Sequence, residues 1–533
     1  MTHAAPPSNS ETSKVAATAG TFLGHPKGLF LLFMVEMWER FSYYGMRALL
    51  VLYLTAPLTG VSEPPAGSPP GFNPGLGWSD EAGNGLYGWY TGIVYLLPII
   101  GGVIADKMIG THRSMVIGGL LIALGHVVLA ASGFGPLDRT HMGESVFILG
   151  LALIIIGTGH FKPSVSVMVG QLYDEHDPRR DGAFTIFYMG INLGAFLTAF
   201  VCGTLGERVG WHWGFGSAAV GMLLGLGIYL AARPMFLSDV GLPPDGKGAA
   251  APVFLVTGTL MACAFAALYH VGIMGRIEAF LLNPYIVGTL ATAYIAGWIA
   301  FLFIQEKEDR GPVASIGIFM AFNVFFWIAF EQAGSSINLF TDRLTDRHIF
   351  SWEVPTTWFQ SINALAIFIM APGFAAIWTQ LTKRNLNPSQ PAKIGFGLAW
   401  LGVGYICVVI AALSAVGANK ASMWLVVAMY MFHTVGELFI SPTGLSYVTK
   451  AAPKKWLSFL MGNWFISSFI AGLGGGLIAG KVGDIEKGVI ALPWHFGGQA
   501  DFFFLFVVTS FGSAAAVLLF TPLLKKLLRN QDD

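Results

Sequence analysis

Charge is what this 533-residue sequence has least of: Asp, Glu, Lys and Arg make up 11% of it, where an ordinary soluble domain carries about 25%. With 54% of its residues hydrophobic, water is not the solvent for most of its side chains. Lys plus Arg and Asp plus Glu number 30 each, so no surplus of either sign points to nucleic acid or another polyionic partner. Cysteine is scarce too. Cys202, Cys263 and Cys407 lie in separate apolar runs without paired spacing, which suggests neither a disulfide nor a metal cluster, and they read as small buried side chains. Residues 1–24 are rich in Ala, Ser, Thr and Pro and lack the continuous apolar stretch of a cleavable signal peptide. No HExxH, GxSxG or nucleotide-binding loop stands in a fitting context, which argues against a membrane-embedded enzyme and against a cofactor.

What the sequence does have is apolar runs, repeated along its whole length. Each is close to the roughly 20 residues needed to cross about 30 Å of hydrocarbon. They fall near 29–55, 83–105, 114–133, 146–171, 183–206, 214–235, 252–273 and 283–305, then 312–340, 354–382, 394–416, 422–449, 456–480 and 500–524. About fourteen helices are predicted, an even number, so both termini share one side. With the termini in the cytoplasm, the short loops holding Lys107/Arg113, Arg179/Arg180, Lys307/Arg310, Lys383/Arg384/Lys393 and Lys450/Lys454/Lys455 fall there too, as the positive-inside rule requires. The Pro/Gly-rich stretch from Gly60 to Gly77 has no Lys or Arg and becomes an external loop.

Six spans, a pair and six more spans suit two six-helix halves with an inserted hairpin. A faint internal echo agrees: GTGHFKPSVS in the fourth span and GELFISPTGLS in its counterpart place Lys162 and Glu437 shortly before Pro163 and Pro442.

An ionisable side chain at mid-membrane costs at least about 2.5–3.5 kcal/mol, so it faces a cavity and a partner. The candidates are Glu36, Glu39, Arg40 and Arg47 in the first span, Lys162 in the fourth, and Glu331 and Glu437 in the second half. At 100° per residue Glu36, Glu39, Arg40, Tyr43, Tyr44 and Arg47 share one arc of the first helix, with Glu36 and Arg40 as i,i+4 neighbours. Three cations thus meet four carboxylates. A carboxylate in excess of its cations is the minimum equipment for carrying a proton, and His433, one turn before Glu437, could share it.

These residues sit in motifs that resemble the proton-coupled oligopeptide transporter family of the major facilitator superfamily. EMWERFSYYG at Glu36 to Gly45, GTGHFKPSVS around Lys162, FYMGINLGAF at Phe187 to Phe196, FWIAFEQAGSS at Phe326 to Ser336 and GELFISPTGLS at Gly436 to Ser446 carry the likeness, with GGVIADKMIGTHR as the general superfamily loop. The resemblance implies an all-α polytopic membrane protein of major facilitator fold, two six-helix bundles plus an inserted two-helix hairpin. It divides the chain into a disordered cytoplasmic tail (1–27), an N-terminal bundle (28–236), a linker with the hairpin (237–311), a C-terminal bundle (312–526) and a second tail (527–533).

The implied function is proton-coupled import of di- and tripeptides by alternating access, as a monomer in the lipid of a bacterial inner membrane. Arg47 and Lys162 would bind the peptide carboxylate. Asn192, Asn363 and Glu437 would meet its amino terminus, Tyr43, Tyr44, Tyr95, Trp327, Trp464 and Ser468 would line the pocket, and Glu36, Glu39, Arg40 and Glu331 would serve proton coupling. A short peptide is a zwitterion with ends about 7–10 Å apart, which suits cations opposed to amide and carboxylate groups. Some members carry a histidine in the second span where this sequence has Tyr90, so the proton falls to Glu36, Glu39, Glu331 or Glu437, the first-span pair being favoured. Glu331 has a second reading as an external gate partner of Arg47. A major facilitator transporter of another solute, such as nitrate, a drug or a glycoside, is the alternative, because fold alone does not fix substrate.

Overall fold

The computed structural model describes residues 20–527 except 66, 175 and 245–247, and leaves the side chains of 442–446 aside. Most of the two expected tails therefore lies outside the described residues. Hydrocarbon offers the backbone no hydrogen-bonding partner, so each crossing segment satisfies its own N–H and C=O groups as a helix.

Fourteen long helices result among the described residues. They are α1 Lys27–Thr55, α2 Asp80–Ile104, α3 Thr111–Ala131, α4 His141–Gln171, α5 Arg180–Thr198, α6 Trp211–Phe236, α7 Ala251–His270, α8 Pro284–Phe303, α9 Lys307–Phe330, α10 Ser361–Lys383, α11 Gln390–Ser414, α12 Met423–Ala451, α13 Leu457–Ala479 and α14 Ala500–Leu527. Thirteen spans are long and apolar enough to cross a membrane. The remaining helix, α1, is 29 residues long and is set apart from the others by its charges, Glu36, Glu39, Arg40 and Arg47.

By packing, the chain divides into two units, one of Met1–Gly77 with Ile93–His270 and the other of Trp78–Gly92 with Val271–Asp533. In the first, Leu29, Leu32 and Val35 of α1 join Met115 and Ile122 of α3, Phe161 and Val165 of α4, and Met222 and Tyr229 of α6 in one core. In the second, Phe319 and Phe326 of α9, Leu398, Leu401 and Tyr405 of α11, and Phe502, Phe503 and Phe506 of α14 do the same. Without a hydrophobic force between helices in lipid, close contact depends on small residues that let backbones approach. A Cβ on Gly118 of α3 would come within 2.5 Å of the Gly157 carbonyl oxygen of α4, and one on Gly397 of α11 within 2.8 Å of the Gly436 carbonyl of α12. The two glycine pairs have the same separation along the chain, and Gly157 and Gly436 precede Pro163 and Pro442 equally, so the motif echo has a structural counterpart in each unit.

Three features depart from the linear reading. The span expected over 312–340 is broken: α9 ends at Phe330, a 3-10 turn takes Glu331–Gly334, Ser335 leaves helical geometry (φ −125°, ψ −103°), and a helix resumes at Ser336–Leu344. Gly334, Ser335 and Ser336 are weak helix formers, and side chains take over where the ladder stops. Gln332 Nε2 donates to the carbonyls of Ile328 (3.0 Å) and Gly475 (2.9 Å), Ser336 Oγ donates to Gln332 Oε1 (2.6 Å), and Tyr405 donates to the Ala329 carbonyl (2.6 Å). Second, an extra helix, Ile273–Leu281, follows Gly272 (φ +71°) between the spans expected at 252–273 and 283–305. Third, the expectation of three buried cysteines holds for Cys202 only. Cys407 is half-buried and Cys263 is exposed, because α7 buries little more than its Gly258, Ala262 and Ala266 stripe.

The Pro/Gly-rich stretch from Gly60 to Gly77 is anchored by Asn73. Its Nδ2 donates to the Gly206 carbonyl (2.9 Å), its Oδ1 accepts from Trp211 N (2.9 Å), and its carbonyl accepts from the Trp211 indole (2.9 Å).

Substituting Gly118→Leu or Gly397→Leu should cost about 1–3 kcal/mol by overpacking. The loss is expected as a lowered Tm in detergent, with Gly275→Leu, which meets nothing within 4 Å, as the neutral control.

Candidate functional site

The first unit holds its charges on successive turns of α1. Arg40 Nε is paired with Glu36 Oε1 at 3.1 Å and with Glu39 Oε2 at 2.5 Å, and all three side chains are buried. The Arg40 guanidinium also lies 5.3 Å from the Tyr43 ring centroid. Further along the helix, Arg47 lies 5.8 Å from the ring of Tyr44, which packs edge-on against Tyr43. From α4, Lys162 Nζ sits 4.1 Å from the Tyr95 ring of α2 and acts electrostatically on Glu36. Cation–π contacts of this kind are worth about 0.5–2 kcal/mol, more as water is removed.

Local sequence explains why α1 can be covered so tightly. A Cβ on Gly194, in the FYMGINLGAF motif of α5, would fall 2.9 Å from Phe41 N and 3.1 Å from Arg40 Cβ, so only glycine lets α5 lie on the turn that carries Arg40. Thr198 Oγ1, four residues on, donates to the Phe41 carbonyl at 2.8 Å. Asn192 of the same motif is buried, with its amide donating to the Tyr188 carbonyl at 3.0 Å.

The second unit holds two polar assemblies. In one, Asn363 Nδ2 of α10 donates to Glu437 Oε2 (2.8 Å) and to Thr434 Oγ1 (3.0 Å) of α12, while Thr434 donates to the Tyr430 carbonyl (2.8 Å). Glu331 acts electrostatically on Glu437. His433, one turn before Glu437, packs its ring 4.9 Å from Tyr405 and 6.1 Å from Phe330. In the other assembly the Trp327 indole donates to Asn323 Oδ1 (3.0 Å), Asn323 Nδ2 donates to Ser467 Oγ (3.2 Å), and Ser467 donates to the Trp464 carbonyl (2.6 Å). Glu331, at the break after α9, accepts from the Tyr87 hydroxyl of α2 at 3.4 Å. Ser468 is half-buried, one position beyond the bonded Ser467.

The structure thus joins Glu36, Glu39, Arg40 and Tyr43; Tyr44 with Arg47; Lys162 with Tyr95; Asn363 with Glu437; and Trp327 with Trp464 through Asn323 and Ser467. Tyr87, Asn323, Thr434 and Ser467 were missed by sequence reasoning. Asn323 alone left a signal, an amide four residues before a tryptophan on one helix face. Chemically, Arg40 between two carboxylates lets one of them take a proton while the other still neutralises the guanidinium, so the cluster has two charge states without an isolated buried charge.

Helices, break and intramembrane charges define a polytopic secondary transporter of the major facilitator fold. The sequence matches the POT family over residues 112–494, and the chain belongs to that family. It is 36% identical over 491 residues to peptide transporter YePEPT of Yersinia enterocolitica, covering 89% of this chain and 91% of that one. It is also 34% identical over 461 residues to a di-/tripeptide transporter of Lactococcus lactis subsp. cremoris, covering 84% and 88%. A solved structure of a peptide transporter POT in complex with sulfate superposes with a TM-score of 0.79 at 33% identity, covering 97% of this chain and 99% of that one.

Asn363→Leu removes the donor to Glu437 and should destabilise the protein by about 1–3 kcal/mol, the cost of a buried acceptor left unsatisfied. A drop in Tm larger than that of Thr434→Val is the expected result.

Proposed function

We propose that the chain is a proton-coupled symporter importing di- and tripeptides by alternating access. The observation that carries this reading is the buried Glu36–Arg40–Glu39 cluster, with Lys162 in electrostatic reach, in a chain of the POT family whose named relatives transport peptides. Proton exchange is assigned to Glu36 and Glu39 with Arg40 as their counter-charge, and Glu331 is a further carboxylate for coupling or gating. The peptide carboxylate is assigned to Arg47 and Lys162, two cations positioned against aromatic faces. The peptide amine is assigned to the Glu437–Asn363 pair and to the side-chain Oδ1 of Asn192, whose Nδ2 is already held by the Tyr188 carbonyl. Tyr43, Tyr44, Tyr95, Trp327, Trp464 and Ser468 supply a pocket wall that tolerates many side chains, since aromatic surfaces accept varied shapes.

Alternating access would use the division proposed from sequence, bundles over 28–236 and 312–526 joined by 237–311. The cycle needs protons and no cofactor, and no covalent chemistry is assigned to the chain. Lys and Arg placement supports cytoplasmic termini, the bacterial relatives support an inner-membrane location, and a monomer suffices for the cycle.

The test is uptake of labelled dialanine into proteoliposomes with and without an inward proton gradient. Wild type should show gradient-driven accumulation. Glu36→Gln should abolish the gradient dependence while leaving peptide exchange measurable, and Lys162→Ala should raise KM by at least about tenfold, the factor set by losing about 1.4 kcal/mol of binding. Gradient-independent wild-type uptake would remove the proton from the mechanism.

A further inference from the structure

Nothing in this cycle uses α8, and its packing is unusual. Only 6% of its apolar stretch is buried within the protein. It leans on the rest of its own unit at three points: the Trp298 indole lies against Gly317 of α9, the Phe301 ring meets Trp456 and Phe459 at 5.1 and 4.8 Å, and the Tyr294 hydroxyl donates to Asn463 Oδ1 of α13 at 3.1 Å. Around these contacts α8, α9 and α13 line an open-mouthed cavity of about 450 Å³. That lies within the roughly 300–1,000 Å³ of ligand sites.

The depth of the cavity fixes its solvent. Tyr294 and Ile295 stand midway along a 20-residue helix, about 15 Å from either end at 1.5 Å per residue. Ile295 and Ile299, on the cavity wall, are 58% and 49% exposed, so the mouth opens on hydrocarbon. Ala321, Val324 and Ile470 continue the wall, and no charged side chain lines it among the described residues. An occupant must therefore be apolar and come from the bilayer itself, with any headgroup left at the interface.

We propose that this cavity takes an acyl chain of a membrane phospholipid and that its occupancy is felt at the peptide pocket. The second half of the proposal rests on the function assigned above. Ser467 lines the cavity and, through Asn323, belongs to the hydrogen-bonded series that orients the Trp327 indole. A chain pressed against Ser467 acts on a group two hydrogen bonds from Trp327.

The experiment places a phospholipid with a diazirine-bearing acyl chain in phosphatidylethanolamine/phosphatidylglycerol vesicles containing the full chain, and maps the adducts after irradiation. Adducts should concentrate in 294–302 and 314–324 and fall about tenfold, the effect of roughly 1.4 kcal/mol of lost affinity, in Ala321→Phe, which fills the mouth. Ile470→Trp closes the same mouth from α13 and serves where the first variant fails to fold. Adducts spread evenly over lipid-facing helices such as α7, or undiminished in a folded variant, would overturn the site. Dialanine KM in Ala321→Phe should shift about threefold with kcat retained, and an unchanged KM would overturn the coupling. Photolabelling needs no transport, so failure of the peptide assignment leaves the first arm readable.

Discussion

The pairing of Arg40 with Glu36 and Glu39 is the interaction on which the first unit depends. A charged side chain at the centre of a lone membrane helix costs at least about 2.5–3.5 kcal/mol, and α1 carries four. Such a helix cannot face lipid along that side. Counter-charge on its own turns removes part of the cost, and burial under α5 and α6 removes the lipid. Burial is possible because Gly194 lets the α5 backbone reach the Arg40 turn, and Gly221 and Gly225 of α6 accommodate Phe41 and Trp38. The motif's charges and the motif's glycines are therefore two parts of one solution. Charge creates the need for close cover, and missing side chains permit it.

The second unit answers the same constraint for backbone rather than charge. Breaking a helix inside the membrane frees carbonyls that hydrocarbon cannot satisfy. Tyr405 and Gln332 are spent on this, and the break they stabilise presents Glu331 beside Tyr87. The break is a local departure from helical regularity at a carboxylate, in a segment where regularity is otherwise the lowest-energy choice.

Much of this was legible in the sequence, for a reason particular to membrane proteins. A bilayer imposes one length and one polarity on every crossing segment, so hydropathy read along the chain located most of the helices within a few residues. Charges in apolar runs stood out for the same reason, which is how Glu36, Arg40, Lys162 and Glu437 could be singled out before any contact was known. The reading failed where the deciding partner was remote. Tyr87 and Glu331, or Ser467 and Asn323, are far apart in the chain, and helical periodicity assigns a residue to a face without saying what meets it. Cys263 was misjudged because an apolar run does not distinguish burial in protein from exposure to lipid.

By itself, the sequence determined the number and placement of the spans, the face of α1 that must be covered, and the family. Spans and face follow from the solvent a segment can tolerate, which is a property of the segment alone, and the family follows from motifs written within single helices. Only the tertiary structure decided that α9 breaks at Glu331, that Asn323 meets Ser467, that α2 gives Asp80–Gly92 to one packing unit and Ile93 onward to the other, and that α8 stands off far enough to leave a cavity. These depend on which side chains meet across helices. That is set by the competition among many weak packing contacts and a few hydrogen bonds, none of them encoded within a single turn.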